Sequence, residues 1–319
     1  MMYKLGIDLG GTNIVAGVVD ENYRIIATAK RKTNCPRPAD EIISDMAAVS
    51  LEAVETAGLK LEDIDSAGVG TPGAINPSDG IVCYANNLEF YDVPMAKMLK
   101  ERTGIDFYIE NDANAAAYGE FVAGAGKGTK NFIMITLGTG VGGGIIIDGK
   151  IYSGSNYAGG ELGHTVICVD GEMCTCGRQG CLEAYASATA LIRQTKQAMI
   201  KYPKSVMWEL SDNDINKVSG RTAFDAMRKG DEAGTQVVNN YINYIAVGIA
   251  NNINIFQPEV IAIGGGISNE GDNLLVPLKK IVMGENYARN IKQNAEIKIA
   301  QLANDAGIIG AAFISNLYK

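Results

Sequence analysis

The chain has 319 residues, 47% hydrophobic and 20% charged, with a formal net charge of −8. Such a composition fits a soluble globular protein of about two domains, and an acidic chain with no basic stripe is not expected to bind nucleic acid. No run approaches the ~18 apolar residues of a membrane span, and no charged-then-apolar leader opens the chain. Three of the six cysteines crowd into residues 174–181, as metal ligands do in a reducing compartment, so the expected location is the cytoplasm.

Residues 3–8, 14–20 and 24–30 are apolar runs joined by tight turns, and they predict an antiparallel meander. Residues 39–57 carry Ile42, Ile43, Met46, Val49, Val54 and Ala57 at helical spacing. Short strands are expected at 66–70 and 107–110, with a helix near 95–102 between them. Residues 131–151 then repeat the opening: Ile133-Met-Ile-Thr-Leu-Gly-Thr-Gly140 echoes Leu5-Gly-Ile-Asp-Leu-Gly-Gly-Thr12. In each copy an apolar strand ends in a glycine-threonine turn and a second strand follows. The repeat predicts a duplicated α/β pair of lobes around a central cleft. The first lobe takes residues 1–115 plus a closing helix in 305–319, and the second takes 116–304. Within the second, helices are expected near 182–199, 222–228 and 233–256 and a strand at 259–263. Residues 201–220 read only as helix or loop.

Asp8-Leu-Gly-Gly-Thr-Asn13 lies between two strands. Gly10 and Gly11 let backbone N–H groups converge on phosphate oxygens, Thr12 and Asn13 add side-chain donors, and Asp8 suits a Mg²⁺ ion held through water. Gly138-Thr139-Gly140 offers a matching cradle. Either turn alone reads equally as a plain hairpin; the repetition, with an acidic strand end in the first copy, favours phosphate. Neither is a Walker or Rossmann motif. Gly264-Gly265-Gly266 follows a buried strand and fits either a purine ring or an ordinary strand-to-helix turn.

His164, Cys174, Cys176 and Cys181 form H-x9-C-x-C-x4-C and include the only histidine of the chain. Three thiolates and one imidazole make a closed tetrahedral structural Zn²⁺ site. Glu161 and Glu183 flank the loop; either alone reads as a solvated surface charge, while paired acceptors on a rigid loop suit a polyhydroxyl ligand. At 109–120, Asn111 and Asp112 fall at a strand-to-helix junction. Helix capping accounts for both residue types. The functional alternative makes Asp112 a general base, kept ionised and only weakly basic by the helix N-terminus.

Taken in order, DLGGTN, Glu110-Asn-Asp112, Gly160-Glu-Leu-Gly-His164, Cys174-x-Cys-Gly-x-x-Gly-Cys-Leu-Glu183 and Gly264-Gly-Gly266 resemble the ROK family of sugar kinases and repressors, and within it the bacterial glucokinases. The resemblance spans nearly the whole chain. It implies the actin-like ATPase (ribonuclease H-like) fold, ATP and Mg²⁺ as cofactors beside structural Zn²⁺, and Asp112 as catalytic base. It further implies that Asn111, Glu161, His164 and Glu183 bind sugar hydroxyls, with Gly73 and Asn87 lining the sugar pocket. The implied reaction is ATP-dependent phosphorylation of a hexose at O6, glucose first, in a homodimer or homotetramer. DLGGTN begins at residue 8, so the family repressors' helix-turn-helix is not expected here. Leu88-Glu-Phe-Tyr91 stands where many of the glucokinases carry a Trp, so fructose, mannose and N-acetylmannosamine stay open, as does a non-catalytic sugar sensor.

Overall fold

The computed structural model describes residues 2–292 and 294–318; the outer ends of the two expected first-lobe segments, residues 1 and 319, lie outside the described residues. The opening meander is present as β1 (Tyr3–Leu9), β2 (Asn13–Val19) and β3 (Ile25–Lys32), all antiparallel, with Leu9 opposite Ile14 across the first turn. Leu5, Ile7, Leu9, Ile14, Ala16 and Val18 are fully buried and share one core with Ile42, Ile43, Met46 and Val49 of α1 (Ala39–Thr56). β4 (Ile64–Thr71) then runs parallel to β1. β5 (Ala74–Asn76), β6 (Ile81–Ala85) and β7 (Phe90–Val93) form a separate sheet that periodicity did not reveal, because its strands have only 3, 5 and 4 residues. After α2 (Met95–Thr103), β8 (Phe107–Asn111) pairs in parallel with β4 and passes straight into α3 (Asp112–Ala123).

The second copy follows as β9 (Phe132–Leu137), β10 (Val141–Ile147) and β11 (Lys150–Ile151). Next come α4 (Glu183–Ala186), α5 (Ala188–Lys201), α6 (Met207–Leu210), α7 (Thr222–Arg228) and α8 (Glu232–Phe256), then β12 (Val260–Gly264), α9 (Asp272–Glu285) and β13 (Glu296–Ile299). The two five-stranded sheets have the orders β3-β2-β1-β4-β8 and β11-β10-β9-β12-β13. Numbered within each copy, both read third, second, first, fourth, fifth. The short sequence echo at the two turns is therefore the trace of a repeat that extends through a whole sheet.

The helix expected at 182–199 is two helices. Ser187 is extended (φ −74, ψ 161), and its hydroxyl accepts the Ala190 N–H at 3.0 Å, capping α5. A serine that satisfies an orphan donor in this way stabilises a helix start where apolar spacing alone predicts continuity. Residues 201–220 contain α6 and a 3₁₀ turn at Ile215–Lys217.

Near the C-terminus α10 (Asp305–Phe313) continues into a 3₁₀ turn, Ile314–Leu317. α10 lies backbone to backbone against β1 and α3, and glycine makes that possible. A Cβ on Gly6 would sit 2.0 Å from the Ile308 carbonyl oxygen, and one on Gly310 would sit 1.7 Å from that of Ala115.

The chain divides into two compact units, Met1–Ile133 with Gly144–Gly160 and Gln301–Lys319, and Met134–Gly143 with Glu161–Ala300. The expected boundary at 115/116 would cut α3, whose contact with α10 keeps it whole in the first unit; β9 and β10 run through both. Among the described residues no helix is long and apolar enough to cross a membrane.

Candidate functional site

In the first unit the DLGGTN turn is held from one side. Gly10 N–H donates to the Asn13 carbonyl at 2.9 Å, Thr33 N–H to that of Thr12 at 3.0 Å, and the Thr33 hydroxyl to that of Gly10 at 2.6 Å. The Cys35 thiol donates to the Gly11 carbonyl at 2.8 Å. The segment 33–35 thus fixes three successive carbonyls, while a Cβ at Gly11 would meet nothing within 4 Å. Gly11 and Thr12 are exposed, and Asn13 is half-buried. Neither Thr33 nor Cys35 was singled out from sequence, because a brace some twenty residues away leaves no local pattern.

Asp8 is the penultimate residue of β1 and lies beside the start of α10, where a Cβ on Gly307 would lie 3.5 Å from its carboxylate. Burial, and then the charge of Asp112, push the Asp8 carboxyl up to about 6. Asp112 opens α3, and its carboxylate accepts the Ala113 N–H at 2.8 Å. Burial also raises the Asp112 carboxyl above its ordinary value, against the hydrogen bond that lowers it. The expectation of a weakly basic group at a helix end omitted burial, which outweighs the helix terminus. Two neighbouring carboxyl groups that both resist ionisation are an arrangement whose charged form a cation would stabilise.

A carboxyl raised in the folded state stabilises the fold fully below its unfolded value, and that contribution is lost as pH rises through the folded value. For Asp8 the window runs from 3.8 to about 6. Asp8→Asn is therefore expected to leave stability unchanged relative to wild type near pH 4. Above pH 6, without divalent cations, it should gain up to ~3 kcal/mol. Thermal melts of both proteins across that range measure it, and parallel curves at all pH values would refute the assignment.

Asn111 is the N-cap of α3, accepting from Ala113 N–H at 2.9 Å and Asn114 N–H at 3.2 Å, and its amide donates to the Gly73 carbonyl at 3.1 Å. The capping explanation is thus realised, and the same side chain ties the junction to Gly73. Gly73 has φ 112, and a Cβ there would lie 2.2 Å from the Tyr84 carbonyl. Asn87 is exposed in the 3₁₀ turn Asn86–Leu88. Glu110, part of the motif but given no role from sequence, is 2% exposed. An acidic residue at an inward position of a strand was the available signal.

In the second unit the ligand atoms of His164, Cys174, Cys176 and Cys181 all lie within 4.8 Å of one another. Cys174 Sγ is 3.6 Å from His164 Nδ1, and Cys176 Sγ is 3.7 Å from Cys181 Sγ. A tetrahedron with the usual Zn–N and Zn–S bonds has edges of about 3.6 Å and about 3.8 Å, so the four atoms stand at metal-site spacing. The loop is closed by bridges between Val166 and Cys181 and between Met173 and Gln179, and by Cys174 N–H donating to Arg178 O at 2.8 Å.

Glu183 begins α4 with both oxygens engaged. Oε2 accepts the Val141 N–H at 3.0 Å, and Oε1 accepts the Thr175 hydroxyl at 2.9 Å. It links the metal loop to the second glycine turn, where a Cβ on Gly140 would fall 2.4 Å from Oε2. That turn is also pinned by Gly138 N–H to Gly140 O at 3.0 Å and Ala188 N–H to Gly138 O at 2.8 Å, while the Thr189 hydroxyl donates to Thr139 O at 2.8 Å. Glu161 is exposed, and its carbonyl accepts the His164 N–H at 3.1 Å. Gly265 has φ 83 and passes close to Leu137, whereas a Cβ on Gly266 would meet nothing within 4 Å.

The family model described as ROK family matches residues 4–316. The chain belongs to the ROK family, and its fold is the actin-like ATPase fold. It is 37% identical over 311 residues to the glucokinase of Thermotoga maritima, covering 97% of this chain and 96% of that protein. It is 38% identical over 314 residues to the glucokinase of Streptomyces coelicolor, covering 98% and 97%. It also resembles the crystal structure of a ROK family glucokinase from Streptomyces griseus in complex with glucose and AMPPNP, with a TM-score of 0.79, 36% identity, and 97% and 98% of the two chains covered.

Proposed function

We propose that this protein is a sugar kinase that transfers the γ-phosphoryl group of ATP to O6 of a hexose, glucose first, releasing hexose 6-phosphate and ADP. The observation that carries the proposal is the full-length likeness to a glucokinase whose structure holds glucose and an ATP analogue. The buried carboxyl pair of the first unit supports it.

Asp112 accepts the proton of the attacking hydroxyl as the O6–phosphorus bond forms and the bond to the ADP oxygen breaks. A base raised by burial is better matched to neutral pH than an exposed aspartate. The N–H groups of Gly11 and Thr12 in the braced turn suit phosphate oxygens, the Gly10 N–H being engaged by the Asn13 carbonyl. Asp8 suits Mg²⁺, which would supply positive charge to the phosphates when bound. Zn²⁺ suits the Cys₃His cluster, where it stiffens the loop; with Nδ1 turned toward the sulfurs, His164 keeps Nε2 for a sugar hydroxyl. Glu161 and Glu183 accept from further hydroxyls, Glu183 through lone pairs left beside its internal hydrogen bonds from Val141, Thr175 and Cys174. Use of ATP and six cysteines without a disulfide support a cytoplasmic location.

A coupled assay across glucose, fructose, mannose and N-acetylmannosamine with ATP and Mg²⁺ tests the reading. Glucose is expected to give the highest kcat/KM. A higher value for another hexose would reassign the substrate, and sugar binding without turnover would make the protein a sensor.

A further inference from the structure

We propose that the C-terminal Tyr318, through the buried carboxylate of Glu110, is a positioning element for Asp112. The inference rests on the reading of Asp112 as the base and concerns how the chain holds that base in place.

Glu110 lies at the end of β8, two residues before Asp112. Its Oε1 accepts the Asn111 backbone N–H at 2.9 Å and the Asn114 side-chain amide at 3.0 Å. These bonds clamp both sides of the strand-to-helix junction, since Asn114 lies on the first turn of α3. Its Oε2 accepts the Tyr318 hydroxyl at 3.1 Å. No segment nearby in sequence supplies that donor; the two residues are 208 positions apart.

The C-terminal segment is built to bring Tyr318 there. In the 3₁₀ turn after α10, Ser315 is fully buried. Its hydroxyl lies 2.8 Å from Lys4 Nζ and 2.9 Å from the Ser66 hydroxyl, anchoring the turn to β1 and β4. Tyr318 N–H donates back to Ser315 O at 3.3 Å. The Tyr318 ring stacks on Tyr108, one strand position pair before Glu110, with centroids 6.1 Å apart and planes 8° from parallel. Burial raises the Glu110 carboxyl, and the three donors oppose that rise. Tyr318 itself is held protonated by burial and by the Glu110 charge, so it serves as a donor. A carboxylate taken out of water needs every donor it has. Removing the Tyr318 hydroxyl leaves one oxygen under-satisfied and frees the junction to shift, and small misplacements of a reacting group cost rate more than binding.

The test is Tyr318→Phe, which keeps the ring stack and removes one hydroxyl from a residue 39% exposed. We expect kcat to fall roughly 10-fold, with the KM for hexose and for ATP changed less than about two-fold and the melting temperature nearly unchanged. Glu110→Gln is expected to lower kcat further, by about 10²-fold, and adding Tyr318→Phe to it should cost little more because the two act as one unit. A kcat for Tyr318→Phe within about two-fold of wild type would overturn the inference, as would kcat losses that simply add in the double variant. Asp112→Asn is assayed alongside. If its kcat falls by about 10²-fold or more, a null result at Tyr318 counts against this inference alone; turnover in Asp112→Asn within about tenfold of wild type removes the base reading and this inference with it.

Discussion

Asp112→Asn is expected to lower kcat by about 10²–10⁴-fold while glucose and nucleotide still bind within a few-fold of wild type. The substitution keeps the shape of the side chain, and its carbonyl oxygen can still accept the Ala113 N–H that Asp112 accepts at 2.8 Å. What disappears is the ability to take a proton. Burial already disfavours the charged form of Asp112, so loss of the charge does not weaken folding. The charge of Asp112 is also one of the two causes that raise Asp8. In the variant the Asp8 carboxyl should therefore titrate lower, though still above 3.8 because burial is the larger cause. Coupled-assay kinetics and calorimetry with glucose read the two halves of this prediction. Turnover within tenfold of wild type would mean that positioning and phosphate charge carry the reaction and that Asp112 is not its base.

The parts of the site that were legible in the sequence are those whose chemistry is compressed into a few consecutive residues. A glycine-threonine turn between two apolar strands, an Asn-Asp pair at a strand-to-helix junction and a cysteine-rich loop each need neighbours within ten positions. The hidden parts are long-range. Thr33 and Cys35 brace the first turn from across β2 and β3, and Tyr318 reaches Glu110 over most of the chain. Glu183 reads from sequence as an acceptor for sugar or as a solvated charge, yet its carboxylate accepts from Val141 and Thr175. A carboxylate's partners cannot be read from its neighbours in sequence when the donors come from other elements.

The fold follows the same division. The meander and the repeat were visible because strand alternation and turn chemistry are local. The common strand order of the two sheets was foreshadowed only by the echo of one turn. Ser187 interrupts a stretch whose apolar spacing reads as one helix, because a capping hydroxyl competes with continuation and periodicity does not weigh it. The flush seat of α10 depends on the absence of a Cβ at Gly6 and Gly310, which marks a close approach without saying to what.

Loss of the zinc proposed for the Cys₃His loop is the second large effect expected. The clean variant is Cys176→Ser: Cys176 is exposed, so the change leaves packing nearly intact and removes one ligand. Zinc content, measured on the purified proteins, is expected to be one per chain in wild type and near zero in the variant, because three remaining ligands do not close a structural site. Glucose affinity should then weaken by about 10–100-fold. Two routes lead to that loss. His164 is no longer held through Nδ1, so its other nitrogen loses its direction. Thr175 sits between two of the cysteines and donates to Glu183 Oε1 at 2.9 Å, so a loosened loop also releases the carboxylate that accepts from Val141. Thr175→Val separates the routes: it cuts the Glu183 bond while sparing every metal ligand, and it should cost only about 1 kcal/mol of sugar binding. A zinc-free Cys176→Ser protein that binds glucose as tightly as wild type would show that the loop reaches its working shape without a metal.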